Sequence, residues 1–338
     1  MDRPATVAAS LNDPAKGPGT GGRITRRALF SLAGTLAFIG ILIYLLDRHG
    51  SEISRVAERA SSATLIAVIL LAAASLVARG EDAVAALTAM GNRPSRVDIH
   101  VASSAAFVVA TLNHYLASPV RAAVLKRLDS GRAPTIPQMF MVDASTSLIE
   151  GLLAAGLIAA SASALKLGWW IPLLAILAAL GGVAVALTIR RRLERLAVFR
   201  GLEMLAHSRQ RLVVLMLSVI VFTCQIGRTL IVLRATGLHP SLLQAAATFV
   251  AGGVLSSLLA GPAAGAAGAP LIIFGHRSLA AAAAAGLILS ITALLAALLY
   301  AAACGPIMAW RLRHIAHPSE RGAETPPTVP TEIEQRSR

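Results

Sequence analysis

The chain has 338 residues, of which 56% are hydrophobic, 4% aromatic and 14% charged. Soluble domains average about 45–50% apolar and about 25% charged residues, so this composition excludes a soluble globular protein. The formal net charge is +14, which by itself would favour nucleic-acid binding. Because the basic residues lie between long apolar runs, the charge instead favours a membrane protein with its basic loops on the inner side, and no nucleic-acid partner is expected.

The apolar runs predict six full membrane spans. A bilayer core of about 30 Å requires about 20 apolar residues, and runs of that kind cover residues 28–46, 63–78, 139–160, 169–189, 212–235 and 279–304. A polar tail of 27 residues precedes the first run, which favours a retained helix over a cleaved signal peptide. Two further apolar stretches are interrupted: 97–124 by polar residues and Pro119, and 242–275 by the pair Gly252-Gly253 and the run GPAAGAAGAP at 261–270.

The distribution of basic residues predicts how the two interrupted stretches lie. If each crossed the membrane once, 14 basic residues would lie inside and 15 outside. If each entered and left by the same face, 24 would lie inside and 5 outside. The positive-inside rule favours the second arrangement, which makes both stretches re-entrant hairpins. A bundle of eight ordinary spans is the alternative.

The predicted fold is therefore an all-α polytopic integral membrane protein with six spans and two re-entrant helical hairpins. Each half contains three crossings, so residues 28–160 and 169–310 would form an inverted repeat, an arrangement typical of transporters. The tails, residues 1–27 and 316–338, are rich in Pro, Gly, Ser and Thr and are expected to be disordered and cytoplasmic. The predicted location is the bacterial cytoplasmic membrane.

The exit of the first hairpin carries residues suited to binding an anion. Pro119 lacks an amide hydrogen and breaks a helix, which frees carbonyl groups at membrane depth. Asn113 precedes it, and Arg121 and Arg127 follow it with forked donors that suit a phosphate. Two interpretations stay open for the arginines: a phosphate site, or an anchor that reaches lipid headgroups. The anchor is favoured for Lys126.

The segment NHYLASPVRAAVLKRLDSGRAPTIPQMFMVDASTSLIEGLLAAGLIA and the later GPAAGAAGAP resemble the lysylphosphatidylglycerol synthase transmembrane family, also called flippase-like membrane proteins. The family motif Pro-Gly-Arg-x-Gly-Glu-x-x-Arg is matched by Pro119, Arg121 and Arg127, with Ala123 and Val124 where Gly and Glu are usual. The resemblance covers about residues 25–310.

Two later family motifs are matched in part. In Glu-Arg-x-x-Asp, Asp143 takes the place of Glu, and Ala144 and Ser147 stand where Arg and Asp are expected. Pro262, Gly265 and Gly268 can be placed on the Pro-x-x-Gly-Gly-x-Gly-x-x-Glu hairpin, and no acid follows. The resemblance implies a flippase-like role. Since the family's soluble aminoacyl-transferring domain is missing from this sequence, no synthase activity is expected.

The third predicted span carries two acids on one helical face. Asp143 and Glu150 are seven residues apart, with Thr146 and Ser147 between them. An ionised carboxylate inside a span costs about 2.5 kcal/mol or more. Asp143 lies near the inner end of the span, whereas Glu150 lies near its middle. We therefore expect Glu150 to be functional or paired with an interior arginine.

The fifth predicted span carries Gln225 and Arg228 on one face. Arg228 could reach outer headgroups, pair with Glu150 or receive a lipid headgroup on the exit side. In the second hairpin, glycines permit either close helix packing or a broken backbone. Pro262 and Pro270 favour the broken, re-entrant form.

These features predict a translocator for a phospholipid or another lipid-linked headgroup. Arg121 and Arg127 would take the phosphate from the inner leaflet, and Glu150, Gln225 and Arg228 would line the passage. One alternative is a non-catalytic membrane partner of a lipid-modifying enzyme, such as a glycosyltransferase. For this alternative, the family resemblance implies a hopanoid or glycolipid pathway. A membrane enzyme is a further alternative, although no histidine supports Asp143 as a base. No catalytic residue, metal or cofactor is predicted.

Overall fold

The structure is a computed structural model that describes residues 40, 43–44, 47–48, 50–91, 94–128, 133–162, 168, 170–193, 207–259 and 262–316. α-Helices contain 89% of the described residues, and this part of the chain has no strand. After helical residues 50–57, the helices are α1 (Ser62–Ala89), α2 (Arg96–Leu112), α3 (Ala117–Leu128), α4 (Ile136–Ser161), α5 (Trp170–Leu193), α6 (Ser208–Ala235), α7 (Leu242–Leu259), α8 (Pro262–Phe274) and α9 (Leu279–Ala316).

Four of these helices are long and apolar enough to cross a membrane: α1, α4, α6 and the part Leu279–Arg311 of α9. Four of the six predicted spans are therefore confirmed as helices of membrane-crossing length. Within α5, the described apolar helix Pro172–Ala186 is shorter. Apart from positions 40, 43 and 44, the predicted first span lies outside the described residues, as do the two tails apart from position 316.

Serine and threonine residues mark where the long helices begin. The Ser61 hydroxyl accepts a hydrogen bond from the Thr64 amide at 3.2 Å, at the start of α1. At the start of α2, the Ser95 hydroxyl accepts from the Asp98 amide at 3.1 Å. Each of these bonds satisfies an amide that has no partner within its own helix.

The second span, predicted at residues 63–78, is shorter than the helix in the structure. Its apolar run ends at residue 78, but α1 continues without a break to Ala89. The reason is that Arg79, Glu81 and Asp82 all face other helices rather than a loop. The prediction ended the span at these charged residues. In the structure they are part of α1, and their side chains contact neighbouring helices.

The first interrupted stretch folds as two helices, but the prediction that Pro119 breaks it was wrong. The break lies at Asn113, which ends α2 and begins a 3₁₀ turn over His114–Leu116. Pro119 is in the first turn of α3, where its missing amide hydrogen removes no helical hydrogen bond. The two helices fold back on each other, which places the guanidinium carbon of Arg121 5.8 Å from the ring centroid of Phe107.

The second interrupted stretch also folds as two antiparallel helices. α7 ends at Leu259 and α8 begins at Pro262, whereas Gly252 and Gly253 are inside α7 and Pro270 is inside α8. The prediction that the Gly252-Gly253 pair interrupts the helix was therefore wrong. Instead, small residues allow the helices to touch: a Cβ added at Gly252 would lie 3.3 Å from the Gly265 carbonyl oxygen.

Two apolar clusters hold the helices together. One surrounds the run Ala280–Ala285 at the start of α9, in which all six alanines are buried. The other joins α1 to α4 through Leu87, Ile99, Leu125 and Met139. This second cluster lies beside the largest group of buried charges and fixes the positions of the helices that carry them.

Candidate functional site

Charged side chains from three helices converge on one small pocket, to which α2 adds an aromatic ring. Its volume is about 50 Å³, which holds a few water molecules and is well below the roughly 300–1,000 Å³ of sites for drug-sized ligands. We call it the charged pocket. It is lined by Arg79, Asp82, Ala83, Phe107, Arg121, Val142, Asp143, Thr146 and Glu150.

Arg121 is the more buried of the two arginines in the charged pocket. Its Nη1 donates a hydrogen bond to Asp143 Oδ1 at 2.8 Å, and the Ser118 hydroxyl donates to the other oxygen of Asp143. The guanidinium also lies over the Phe107 ring, a cation–π contact. Arg121 is 6% exposed, and its Nε has no hydrogen-bond partner among the described residues.

A second ion pair joins α1 to α4. Arg79 Nη1 lies 2.8 Å from Glu150 Oε1, and the two side chains are 35% and 21% exposed. The contact is an ion pair without the alignment of a hydrogen bond. The sequence predicted that Glu150 is functional or paired with an interior arginine. In the structure it forms an ion pair with Arg79 and not with Arg228.

Asp82 is the third carboxylate of the charged pocket. Its residue is 4% exposed, and its Oδ1 has no hydrogen-bond partner within the described part of the chain. The two arginines of the pocket each contact a different acid. Asp82 therefore takes part in neither of the two ion pairs of the pocket.

The charged pocket lies deep along its helices. Glu150 is fourteen residues after Ile136 and Arg79 is ten residues before Ala89, which at 1.5 Å per residue are about 21 Å and about 15 Å from the helix ends. A bilayer core is about 30 Å thick. The ion pair therefore lies away from the ends of both helices.

Gln225 and Arg228 form a separate polar cluster. Arg228 donates to Gln225 Oε1 at 3.0 Å and to the backbone carbonyl of Leu289, and Gln225 Nε2 donates to the Ser75 hydroxyl at 2.7 Å. Arg228 is 5% exposed, so it does not reach outward to headgroups. Since it also does not contact Glu150, two of its three predicted roles were wrong.

The remaining predicted residues of the first hairpin lie outside the charged pocket. The Asn113 side chain accepts a hydrogen bond from the Tyr115 amide at 3.0 Å and so caps the 3₁₀ turn. Pro119 is in the first turn of α3, whereas Lys126 and Arg127 are exposed near its other end. Ligand binding by Asn113, Pro119 and Arg127 stays a prediction.

The second hairpin contributes packing rather than polar groups. A Cβ added at Gly265 would overlap the Gly252 carbonyl oxygen and the Ser256 hydroxyl, whereas one at Gly268 would lie 3.5 Å from Leu255. Pro262 is the first residue of α8. Neither Gly265 nor Gly268 lines the charged pocket.

Sequence reasoning missed several charged contacts that fix the site. Arg79 and Asp82 were assigned to a loop, although Ser75, Arg79 and Asp82 follow the helical spacing i, i+4, i+7 that could have revealed them. Beside them, Glu81 Oε1 accepts hydrogen bonds from Arg96 at 2.7 Å and His100 at 2.8 Å. These contacts hold α2 against α1.

Comparison of the chain with protein-family models, curated proteins and solved structures finds no match. The resemblance to the lysylphosphatidylglycerol synthase transmembrane family therefore stays a prediction.

Proposed function

We propose that the protein moves a lipid with an anionic headgroup between the leaflets of the bacterial cytoplasmic membrane. The charged pocket is the observation that supports this proposal. Two arginines and three carboxylates lie inside a helical bundle whose outer faces carry large exposed apolar side chains, among them Leu70, Met216 and Leu299. Ionisable groups at this depth are costly to maintain and typically mark the path of a substrate or an ion.

Arg121 is the group best suited to receive the headgroup. A guanidinium binds a phosphate through two parallel hydrogen bonds, and Arg121 has an Nε that no described residue uses. Its partner Asp143 has a side chain that is 35% exposed, so the pocket can be approached from the surface of the bundle.

Headgroup entry requires the pocket to open, because its present volume is too small for a lipid phosphate with its substituents. Opening separates Arg121 from Asp143 and Arg79 from Glu150. A phosphate that replaces the carboxylates leaves each arginine paired, so the cost of breaking the ion pairs is offset by new ones. Rocking of helices α1 and α4 against the first hairpin would expose this pocket to one leaflet and then to the other.

The proposed architecture has six spans and two re-entrant hairpins, α2–α3 from the cytoplasmic side and α7–α8 from outside. The halves 28–160 and 169–310 then form an inverted repeat with both termini cytoplasmic. The charge distribution of the sequence supports this orientation. Single cysteines at Ser130 and Ser208 test it, since both should react with an impermeant reagent only from the cytoplasmic side.

Leaflet exchange in liposomes tests the function. The purified protein is reconstituted with headgroup-labelled phosphatidylglycerol or a labelled polyprenyl-phosphate sugar, and label in the outer leaflet is quenched over time. Arg121→Ala should lower the exchange rate at least tenfold. Arg277→Ala is the matched control, because Arg277 is exposed on the turn after α8, where it contacts the Phe274 ring.

The two outcomes separate the proposal from its alternative. Exchange that is lost in Arg121→Ala and kept in Arg277→Ala supports translocation through the charged pocket. Folded protein without exchange of any tested lipid contradicts it and favours a membrane partner that positions a lipid-modifying enzyme.

A further inference from the structure

We propose that Asp82 is a proton-binding group of the charged pocket, neutral while the pocket is empty, and that its ionisation excludes an anionic headgroup. The first half of this proposal concerns the protein alone. The second half rests on the proposed function.

The ion pairs of the pocket leave one acid uncompensated. Arg121 contacts Asp143 and Arg79 contacts Glu150, each at 2.8 Å. With all three acids ionised, the pocket carries one excess negative charge. A proton on Asp82 removes that excess and leaves two matched pairs.

Asp82 is also the acid that is least able to stay charged. It is 4% exposed, and its Oδ1 receives no hydrogen bond from the described residues. An ionised carboxylate is stabilised by water, by a cation or by hydrogen-bond donors. Asp143, in contrast, has Arg121 and the Ser118 hydroxyl as donors.

Asp82 is surrounded by groups that are already engaged. The charged groups that face it or lie within electrostatic range are Arg79 and Glu81 on α1, Arg121 on α3, and Asp143 and Glu150 on α4. His114, in the turn before α3, is within electrostatic range of Arg79, Arg121, Asp143 and Glu150. On the other helices packed against α1, His100 bonds Glu81 and Tyr300, and Arg228 bonds Gln225.

A bound proton, rather than a metal ion, fits this environment. Within the described residues, no group of three or more His, Cys, Asp or Glu side chains is placed to hold a metal ion. A proton needs only the single free carboxylate oxygen of Asp82. The step is a simple protonation, in which the carboxylate takes one proton from water and becomes a neutral acid.

Protonation of Asp82 favours an anion in the same pocket. A phosphate beside Arg121 and Arg79 would be repelled by an ionised Asp82 and not by a neutral one. By linkage, the anion and the proton each increase the affinity of the other. An anionic headgroup therefore binds most tightly when Asp82 carries its proton.

The experiment uses the purified full chain with Asp82→Asn, which mimics the neutral acid, and Asp98→Asn as the matched control. Asp98 is equally buried, at 5% exposure, but lies near Ser95 and Arg311 and not in the pocket. Infrared spectra of ligand-free protein are recorded against pH. A band from a protonated carboxyl group should titrate in the wild type and in Asp98→Asn and should be absent in Asp82→Asn.

Binding of short-chain phosphatidylglycerol is then measured against pH. Wild-type affinity should fall by up to about tenfold per pH unit once Asp82 ionises, as expected when one proton is bound with the ligand. Asp82→Asn should keep the low-pH affinity at every pH, a gain at high pH that misfolding cannot produce. Asp98→Asn should follow the wild type.

The outcomes distinguish the two proposals. An infrared spectrum that Asp82→Asn leaves unchanged overturns the proton site, whatever the lipid results. Lipid binding with the same pH dependence in wild type and Asp82→Asn also overturns it, and leaves the proposed function in place. If no lipid binds or exchanges but the Asp82 band is present, the proton site stands and the proposed function fails.

Discussion

Replacement of Gly265 by alanine should destabilise the second hairpin. The added Cβ would overlap the carbonyl oxygen of Gly252 and would lie 2.8 Å from the amide nitrogen of Ser256. Real Cβ atoms do not approach other atoms that closely. Since two of the obstructing atoms belong to backbone, no side-chain rotation relieves the overlap, and α7 and α8 have to move apart.

The expected size of the effect follows from two opposing terms. Overpacking costs about 1–3 kcal/mol, and the gain in helix propensity from glycine to alanine returns about 0.5–1 kcal/mol. Taking the middle of each range, the net loss is about 1.3 kcal/mol, which lowers the ratio of folded to unfolded protein about ninefold.

Gly268→Ala is the matched control in the same helix. Its Cβ would lie 3.5 Å from Leu255 Cδ1, an ordinary van der Waals contact. This variant should therefore be as stable as the wild type or slightly more so. Denaturant unfolding in detergent micelles measures both. If Gly265→Ala is no less stable than Gly268→Ala, the close contact between α7 and α8 does not exist as described.

Three further predictions concern other contacts. Glu150→Gln should lower leaflet exchange. A double-mutant cycle with Arg79→Gln should show non-additive effects on stability, and each single change should cost less than the roughly 3–5 kcal/mol lost when one partner of a fully buried pair is removed, because the side chains are 21% and 35% exposed. Additive effects would contradict the ion pair. Arg228→Met should lower the free energy of unfolding by about 1.5–3 kcal/mol, because the hydrogen bonds of the charged guanidinium are lost. Denaturant unfolding measures this loss, and unchanged stability would refute the prediction. Gly286→Ala should force α8 and α9 apart and lower the free energy of unfolding, because the added Cβ would lie 2.7 Å from Ala267 Cα. A variant that unfolds at the same denaturant concentration as the wild type would contradict that contact.

Hydropathy predicted the long helices well, because an uninterrupted apolar run is a local property of the sequence. The starts of α4, α6 and α9 lie within four residues of the predicted span starts. The end of α1 was missed by eleven residues. Arg79 and Asp82 look like the start of a loop in a hydropathy plot, and only the neighbouring helices show that they are enclosed.

Two of the three acids of the charged pocket, Asp143 and Glu150, were predicted, because helical spacing is also a local property of the sequence. The helical spacing of Asp143 and Glu150 places them on one face, and both line the charged pocket. Their partners could not be predicted, because Arg79 is 71 residues away in sequence and meets Glu150 only through the packing of α1 against α4. Arg228 was a plausible partner by charge, but its helix lies against Ser75 and Leu289 instead.

Proline was a poor guide to the position of the breaks. Pro119 lies in a first helical turn and Pro270 lies inside α8. The first break occurs at Asn113, whose side chain satisfies a backbone amide of the turn. A residue that favours a turn can thus end a helix several positions before the nearest proline.

The buried alanine run at the start of α9 has a mechanical consequence. Large side chains interdigitate and fix one helix against its neighbour. The six consecutive alanines Ala280–Ala285 present only methyl groups, so this part of α9 has a nearly smooth surface. Small translations along such a surface change few contacts, which is the condition for shear between packed helices. Gly286 follows this run directly, and a side chain there would overlap the Ala267 backbone of α8, so the two helices are close at that end.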